Sequence, residues 1–360
     1  MHLRRIRLES FRNIAFASVD FEGDAHFFVG LNGQGKTNLL EAVGYLSALR
    51  SFRTASLKPL IRHEASRAQL YYEIEYTPGR REKVICRIAS TGRQLEHEGT
   101  PVARLSDYIG RFPTVVLCID DLQLVRGAPA ERRRLMDMSF SACDPVYYEA
   151  LVRYHRSLAE RNSLLKRQTD DPALYRPFER VMAEAAAPLL QTRRESLGRF
   201  NALLAQAYRS LAGEVEVPAL HYLPGMPDGD VAALRAYWEE RRERDRRLKN
   251  TAHGVHRDDF GLTLQGHPAR DYASEGQQRC LAIALRIAQA VYLEEKSGTK
   301  PILLADDILG ELDPERRARF WTTVGHGYQI IATGTRAPED EGRARWRIHQ
   351  VEGGTFSPPC

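Results

Sequence analysis

The stretch Gly30-Leu31-Asn32-Gly33-Gln34-Gly35-Lys36-Thr37 decides the fold of this chain. It fits the phosphate-loop pattern GxxxxGK[ST] without a gap, with an apolar run, 25–29, before it and apolar residues at helical spacing after it. Glycines let backbone N–H groups curve around a β-phosphate, and the N-terminus of the following helix adds partial positive charge. The pattern therefore predicts a nucleotide-binding strand, loop and helix rather than an ordinary glycine-rich turn.

Individual residues of this loop are predicted to do different things. Lys36 is expected to reach the β- and γ-phosphates of ATP, and the Thr37 hydroxyl is expected to ligate Mg²⁺. Further contacts with the nucleotide are expected from the rest of the loop and the residue after it, namely Gly30, Asn32, Gly33, Gln34, Gly35 and Asn38.

A phosphate loop needs a carboxylate on the metal side, and 302–307 (ILLADD) supplies four apolar residues followed by two acids. Asp306 is predicted to hold Mg²⁺, usually through water, and Asp307 to orient or deprotonate the attacking water. Such a strand end alone often marks only a turn, but together with the loop it indicates an ATPase. The 264 residues between Thr37 and Ile302 are too many for a simple kinase or GTPase core, so a large insertion is predicted.

The rest of the chain divides into three segments. Residues 1–122 alternate apolar and polar positions as strands do, with one helix. Residues 123–249 have helical periodicity through 144–166, 174–212 and 229–249, punctuated by Pro172, Pro177, Pro188 and the stretch 224–230. Residues 250–360 alternate strands and helices, and 276–295 are predicted to form a buried helix. Neither flank has enough strands by itself. The sequence therefore predicts an α/β domain with one composite sheet, split by a helical insert.

Composition excludes several classes of protein. The 360 residues are 43% hydrophobic and 28% charged, which argues against a disordered, collagen-like or disulfide-stapled chain. No apolar stretch approaches the ~18 residues of a membrane span, and the first ten residues are too polar for a secretory signal. The five scattered cysteines form no CxxC pair, which fits a reducing cytosol. We expect a cytoplasmic protein with no membrane partner.

The net charge of +5 is mild, but 45 of the 52 cationic residues are Arg. Arginine favours bidentate phosphate contacts, although an arginine-rich genome explains the bias more simply. The segment 123–249 carries +4 of the +5. Interleaved acids leave open whether its cations contact DNA or form a salt-bridged helix face. The candidate DNA contacts are Arg126, Arg132, Arg133, Arg241 and Arg242.

The segment Ser274-Glu275-Gly276-Gln277-Gln278 precedes an almost wholly apolar helical stretch. Serine at a helix N-cap followed by glycine and glutamine offers a hydroxyl, backbone N–H groups and a helix dipole to an anion, although taken alone it reads as an ordinary N-cap. It stands about 25 residues before the Asp-Asp strand, the position of the signature motif in ABC-type ATPases. Residues 310–313 (GELD) resemble the D-loop of the same class.

These features, taken in order, resemble the RecF family of SMC-like recombination-mediator ATPases nearly from end to end. The motifs that carry the resemblance are 10–13 (SFRN), 33–42 (GQGKTNLLEA), 51–54 (SFRT), 124–129 (LVRGAP) with Arg132 and Arg133, 256–259 (HRDD) and 272–279 (YASEGQQR).

The resemblance implies an ABC-type (P-loop) ATPase head formed from N- and C-terminal segments, with an inserted α-helical arm. It implies ATP sandwiched between two heads, so that Ser274, Gly276 and Gln277 face the nucleotide on the partner's loop. Arg12, Asn13 and Asp313 are carried over as further nucleotide-site residues. The expected activity is that of an ATP-dependent homodimer that binds DNA near single-strand gaps and works with RecR and RecO to place RecA.

The chain departs from the family pattern at several positions. Glu275 replaces the usual glutamine of the signature, and we expect its side chain to point away from the nucleotide. Val255 replaces a common proline, and the stretch 118–121 lacks another, so no Q-loop residue is assigned. No histidine follows 329–332; Thr333 or Thr335 would replace it, which predicts slow hydrolysis. The alternative is an ABC-type ATPase subunit of a transport or chromosome-structure complex, but a transport ATPase would have that histidine.

Overall fold

The computed structural model describes residues 1–77, 79–213, 216–308, 314–324, 327–337 and 346–359. The strands in chain order are β1 (His2–Phe11), β2 (Ile14–Asp20), β3 (Ala25–Val29), β4 (Arg67–Thr77), β5 (Arg80–Ala89), β6 (Gly92–His97), β7 (Thr100–Pro101), β8 (Thr114–Cys118), β9 (Pro218–Leu223), β10 (Asp259–Leu264), β11 (His267–Pro268), β12 (Ile302–Asp306), β13 (Ile330–Gly334), β14 (Arg347–Glu352) and β15 (Thr355–Phe356). The helices are α1 (Lys36–Ala48), α2 (Gln123–Arg126), α3 (Pro129–Cys143), α4 (Pro145–Lys166), α5 (Pro172–Ala212), α6 (Val231–Leu248), α7 (Ala269–Tyr272), α8 (Glu275–Ser297) and α9 (Pro314–Val324). Within those ranges no helix is both long and apolar enough to cross a membrane.

The chain forms two compact units. The first combines Met1–Asp121, Gln206–Glu214 and Cys280–Cys360, and the second combines Leu122–Ala205 and Val215–Arg279. The first border lies beside the predicted one at 122. The second unit continues past residue 249 because β10 pairs antiparallel with β9, which draws the chain after the helices into the same unit. The three-segment domain division itself stays a prediction.

The sheet that carries the phosphate loop has the strand order β15-β14-β3-β13-β12-β8. From β14 to β8 its strands are parallel, and only β15 runs antiparallel to its neighbour. Strands from both ends of the chain alternate in it, so the predicted composite sheet exists. Its register sets Asp306 beside Thr333 and Val29 beside Gly334, which aligns the carboxyl ends of β3, β12 and β13.

The remaining N-terminal strands form a second sheet, in the order β2-β1-β4-β5-β6-β7, which the prediction of a single sheet did not include. Helix α1 packs on both sheets of this unit. The Tyr72 hydroxyl of β4 donates to the Ala42 carbonyl of α1, and a Cβ at Gly44 would lie 3.4 Å from side chains of β12 and β8. A glycine there allows α1 to pack close to the parallel sheet, which fixes the helix that follows the loop.

The second unit is built around buried ion pairs. The Arg193 guanidinium is almost fully buried, donates to the carboxylates of Asp137 and Asp258, and also donates to the Tyr147 hydroxyl. Asp258 belongs to the 256–259 motif, and His256 of the same motif bonds to the Tyr154 hydroxyl at 2.8 Å. In this unit the motif therefore stabilises the fold.

The middle of the chain is helical where its periodicity predicts helices, and it also contains one strand. Residues 218–223, between the predicted helical stretches 174–212 and 229–249, form strand β9, because they pair with β10 across about 40 residues of chain. Pro177 and Pro188 lie inside the continuous 41-residue α5, which matches the predicted stretch 174–212. An interior proline costs about 3 kcal/mol. Burial of one face of α5, including Met182, Leu189 and Arg193, outweighs that cost.

Candidate nucleotide-binding site

The phosphate loop takes the conformation that its glycines permit. Gly33 and Gly35 have φ of 81° and 112°, in the region that side chains rarely adopt. A Cβ at Gly30 would lie 2.4 Å from the Val351 carbonyl oxygen, so this first glycine is required by close packing against β14. Leu31, Asn32 and Gly33 are exposed. The loop thus joins β3 to α1 as the motif predicted, with its middle open to solvent.

The two residues that end the motif are held at the start of α1. The Lys36 ammonium donates to the Gly30 carbonyl at 2.7 Å and to the Leu31 carbonyl at 3.0 Å, so the side chain lies back along the loop. The Thr37 hydroxyl donates to Oδ1 of Asp306 at 2.9 Å. The predicted cation and the predicted metal-side oxygens are therefore in one place, although residues 37 and 306 are far apart in sequence.

Asp306 accepts a second hydrogen bond, from the Thr333 hydroxyl, also at 2.9 Å. Burial raises the pKa of Asp306, and the hydrogen bonds from Thr333 and Thr37 oppose that rise. The backbone N–H of Asp307 donates to the Thr333 hydroxyl at 3.1 Å, and Asp307 has a φ of 54°. A left-handed conformation at a non-glycine residue is uncommon and concentrates at functional sites. It turns the chain sharply after β12, immediately beyond the metal-side carboxylate.

Thr333 was predicted to stand in for a switch histidine. Its hydroxyl bonds to Asp306 and Asp307, and its side chain is almost fully buried. In this arrangement Thr333 fixes the acidic strand end. Its role toward a γ-phosphate stays a prediction.

Arg12, predicted to contact nucleotide, forms a bidentate ion pair with Glu41 of α1. Its Nε and Nη2 lie 2.8 and 2.6 Å from the two carboxylate oxygens, and Glu41 is fully buried. The Ser51 hydroxyl also donates to Glu41, while Arg53 lies 3.5 Å from it. Glu41 and Arg53 were quoted in motifs but given no role. They tie the segment after α1 to the helix that carries the loop.

Asn13 and Asn38, both predicted site residues, bond to each other. The Asn38 amide donates to Oδ1 of Asn13 at 2.8 Å and accepts from Nη1 of Arg53 at 2.8 Å. A Cβ at Gly35 would lie 3.1 Å from the Asn13 side chain. These residues therefore form a polar wall beside the loop, with the half-exposed Arg53 as its cation.

Gln34 is held by the turn between β14 and β15. Its side-chain Oε1 accepts from the Gly353 N–H at 2.7 Å, and its carbonyl accepts from the Gly354 N–H at 2.8 Å. Sequence reasoning missed this hairpin, although Gly-Gly after an apolar strand pattern is a hairpin signal. The loop is thus braced by a segment near the end of the described chain.

The signature segment lies in the second unit and opens α8. Ser274 and Gln277 form a capping box: the Ser274 N–H donates to Oε1 of Gln277 at 2.6 Å, and the Gln277 N–H lies 3.4 Å from the Ser274 hydroxyl. Ser274 is exposed, and Gly276 lies in the first helical turn. Glu275 pairs with Arg279 at 3.0 Å along the helix surface. Asp313 lies outside the described residues.

The predicted DNA contacts differ in availability. Arg132 forms a bidentate ion pair with Asp259, and Arg242 forms one with the buried Glu179; their side chains are 11% and 17% exposed. Arg133 donates to the Asp258 carbonyl, and the Arg241 guanidinium lies 3.7 Å from the centre of the Tyr237 ring. Arg132 and Arg242 therefore have little of their guanidinium left for a phosphate.

The donor set around Asp306 suits Mg²⁺ bound with a nucleotide. Among the residues with described positions, no cluster of three or more His, Cys, Asp or Glu side chains could hold a metal alone. Mg²⁺ typically takes one or two protein oxygens and completes its shell with phosphates and water, and Thr37 and Asp306 provide such oxygens.

Comparisons with known proteins identify the family. The family model of the RecF/RecN/SMC N terminal domain matches residues 2–345. A protein of Thermosynechococcus vestitus named DNA replication and repair protein RecF is 35% identical over 99% of this chain and 97% of its own. A protein of the same name from Heliobacterium modesticaldum is 34% identical, covering 99% of both.

Solved structures of RecF align over nearly the whole chain. The recombination mediator protein RecF-ATP of the RecFOR pathway aligns with a TM-score of 0.89 and 25% identity over 100% of this chain and 98% of its own. RecF-ATPrS of the same pathway aligns with a TM-score of 0.88 and 26% identity, covering 99% and 98%. The expected ABC-type ATPase head is confirmed. With its phosphate loop and Asp306 joined at the ends of β3 and β12, the chain belongs to the RecF family of SMC-type ATPases.

Proposed function

We propose that this protein is an ATP-gated DNA clamp of recombinational repair and replication. Two copies join around ATP, close on DNA near single-strand gaps, and separate after slow hydrolysis. The observation that carries the proposal is the hydrogen-bonded group of Thr37, Asp306 and Thr333 beside a complete phosphate loop. Relatives named for DNA replication and repair support the biological setting, as do RecF structures of the RecFOR pathway. RecO and RecR as partners, RecA loading and a cytoplasmic location are parts of the same proposal.

In the proposed half-site, the backbone N–H groups of 33–37 bind the β-phosphate and the Lys36 ammonium leaves its carbonyl partners for the γ-phosphate. Bound Mg²⁺ would neutralise charge that develops on the transferred phosphoryl group. Thr37 and Asp306 would hold that ion, and Asp307 would orient the attacking water. The backbone of Asp307 is held by its bond to Thr333, which sets where its side chain leaves the chain.

The second half of the site comes from another copy. Ser274 presents an exposed hydroxyl at the positive end of the 23-residue helix α8, which suits the γ-phosphate of the nucleotide on the partner. The ion pair of Glu275 with Arg279 supports the expectation that this carboxylate does not face the nucleotide. ATP thereby becomes the contact that joins two copies.

We assign the DNA contact in the arm to helix α6. Its cations Arg244, Arg247 and Lys249 are exposed, and in the part of the chain that the structure describes their side chains have no acidic partner. They lie in the last two turns of α6 and just beyond it. Phosphate contacts of this kind are independent of base sequence and weaken steeply with salt.

The mechanism is tested by measuring the mass of the protein with ATP, with and without gapped DNA. Lys36→Met removes the phosphate cation and Ser274→Arg blocks the partner's phosphate, so both variants should stay monomeric. Asp307→Asn should trap dimers, because ATP binds but the water is no longer activated. Dimers that form equally without nucleotide would contradict the clamp.

A further inference from the structure

Arg126, at the end of helix α2, forms a hydrogen bond with one side chain of α8, the helix that the signature segment opens. Its Nε donates to Oε1 of Gln278 at 2.5 Å. Gln278 is 5% exposed, and its Nε2 lies 3.0–3.2 Å from the carbonyls of Ala269, Arg270 and Ala273. With its N–H₂ group held by carbonyls, this amide cannot flip, and its oxygen must face Arg126.

The rest of the Arg126 guanidinium is free. The residue is exposed, and among the described residues no acid or carbonyl contacts its two terminal nitrogens. Next to it, a Cβ at Gly127 would lie 2.4 Å from the Gln123 carbonyl oxygen, so the backbone after α2 is tightly folded. With Nε already engaged, four N–H donors on a planar fork remain, a geometry that matches two oxygens of one phosphate. A fork oriented in advance loses little entropy on binding.

We propose that Arg126 is a phosphate-binding residue of the signature surface, which contacts in trans the nucleotide held by a second copy of this chain. The inference rests on the proposed ATP sandwich and adds a cation to it. It reassigns a residue first considered for DNA contact.

The hydrogen bond between Arg126 and Gln278 favours nucleotide over DNA as the ligand of Arg126. Ala273, whose carbonyl the Gln278 amide holds, directly precedes Ser274, so the same side chain orients Arg126 and holds the backbone that leads into the signature serine. A ligand that binds Ser274 would then meet an oriented arginine nearby. Arg270 on α7 is exposed and adds positive charge to this surface, although its neighbour Asp271 opposes it.

The test compares Arg126→Gln with the matched control Arg176→Gln, which removes an exposed arginine of the same unit that lacks an acidic partner among the described residues. Arg126→Gln should weaken ATP-driven dimerisation at least tenfold, without changing ATP binding by the monomer or the salt dependence of DNA binding measured without ATP. Arg126→Lys, which keeps the charge but lacks the fork, should be impaired as well. The control should dimerise normally. Normal dimerisation of Arg126→Gln, or a reduced salt dependence of DNA binding alone, would overturn the proposal in favour of a DNA contact.

Mixed dimers separate action in trans from a structural effect. A dimer of Lys36→Met with Arg126→Gln keeps one site in which both the loop and the signature surface are intact. ATP hydrolysis by the mixture should therefore exceed the sum of the separate variants. Without such a rescue, Arg126 acts within its own chain and the proposal fails. A parallel mixture of Lys36→Met with Ser274→Asp tests the sandwich itself; if that mixture also lacks rescue, the proposed function fails with it.

Discussion

Ser274 has two possible tasks, and a substitution can separate them. Its hydroxyl caps α8 in the box with Gln277, and the proposed function also places it against a partner's γ-phosphate. A loss of activity in Ser274→Ala would not distinguish these, because losing a cap alone costs about 1 kcal/mol. Asparagine and aspartate cap helices about as well as serine does, and they differ from each other by one charge.

We therefore expect Ser274→Asn and Ser274→Asp to unfold at similar urea concentrations. Ser274→Asp should lose ATP-driven dimerisation, because its carboxylate would repel the γ-phosphate, whereas Ser274→Asn should keep most of it. Light scattering with ATP measures the difference, and circular dichroism in urea checks the fold. Equal dimerisation of the two variants would show that no phosphate approaches this residue.

Residues of the phosphate loop were predictable because their chemistry is local. Gly33, Gly35 and Lys36 need only each other and the start of a helix. The partner of Arg12 was not predictable, since Glu41 lies 29 residues away and meets it only when β1 and α1 pack together. The same reason hid the carbonyl contacts of Gln278. Sequence motifs named these residues, while the fold decides what each one bonds to.

At the scale of secondary-structure elements, the structure reveals a role for the hairpin of β14 and β15 that the sequence did not predict. The backbone N–H groups of Gly353 and Gly354 donate hydrogen bonds to Gln34. The Val351 carbonyl of β14 leaves no room for a side chain at position 30. A loop that must present several N–H groups to one phosphate benefits from such bracing, because the ordering cost is met before the ligand arrives.

Removing the hydrogen bond between the Gly353 N–H and the Gln34 side chain should weaken nucleotide binding. We expect Gln34→Ala to raise the dissociation constant of the monomer for ATP about fivefold, which corresponds to the roughly 1 kcal/mol net contribution of one hydrogen bond. Gln69→Ala, in β4, is a suitable control with the same change in composition. Fluorescence titration with a labelled ATP analogue measures it, and unchanged affinity would contradict a positioning role for the hairpin.

His256 of the 256–259 motif makes the stability of the folded protein depend on pH. Burial lowers the pKa of His256 to about 4; Arg257, His155 and Arg133 act in the same direction, and the Thr251 carbonyl opposes them. The unfolded chain, with a histidine pKa near 6.5, binds the proton first. Stability from this residue is therefore complete above about pH 6.5 and is lost as pH falls toward 4, by up to about 1.4 kcal/mol per pH unit. Urea unfolding between pH 7 and 5 should show a shallower fall for His256→Gln than for the unsubstituted protein.

Element boundaries were predictable where periodicity alone sets them, as in α4, α5, α6 and α8. They were not where distant pairing decides. Strand β9 forms because β10 returns to it. The border of the second unit at Arg279 falls inside α8, and no local sequence signal marks it.

For the whole molecule, the net charge of +5 is small for a DNA-binding protein, and many of its arginines are engaged internally. Arg193 and Arg161 stabilise the core of the second unit, and Arg132 and Arg242 are paired at its surface. These four arginines are not available to DNA on either copy. An ATP-joined pair presents each of the remaining cations twice, so DNA affinity should depend on nucleotide.

Because an ATP-joined pair presents each cation twice, the salt dependence of DNA affinity should differ with and without ATP. Each neutralised phosphate contributes about 0.9 to the slope of log affinity against log salt on duplex DNA. If Arg247 on α6 contacts phosphate, Arg247→Gln removes one contact per copy, and with ATP the slope should fall by about 1.8, twice the 0.9 of a single contact. Without ATP, the slope for any residual binding by monomers should fall by only about 0.9. The exposed Arg104 of the first unit serves as the matched site, and Arg104→Gln should leave both slopes unchanged. Fluorescence anisotropy with a gapped duplex at several salt concentrations gives the slopes. Equal losses with and without ATP would mean that DNA binds single copies, and the clamp would then need another explanation.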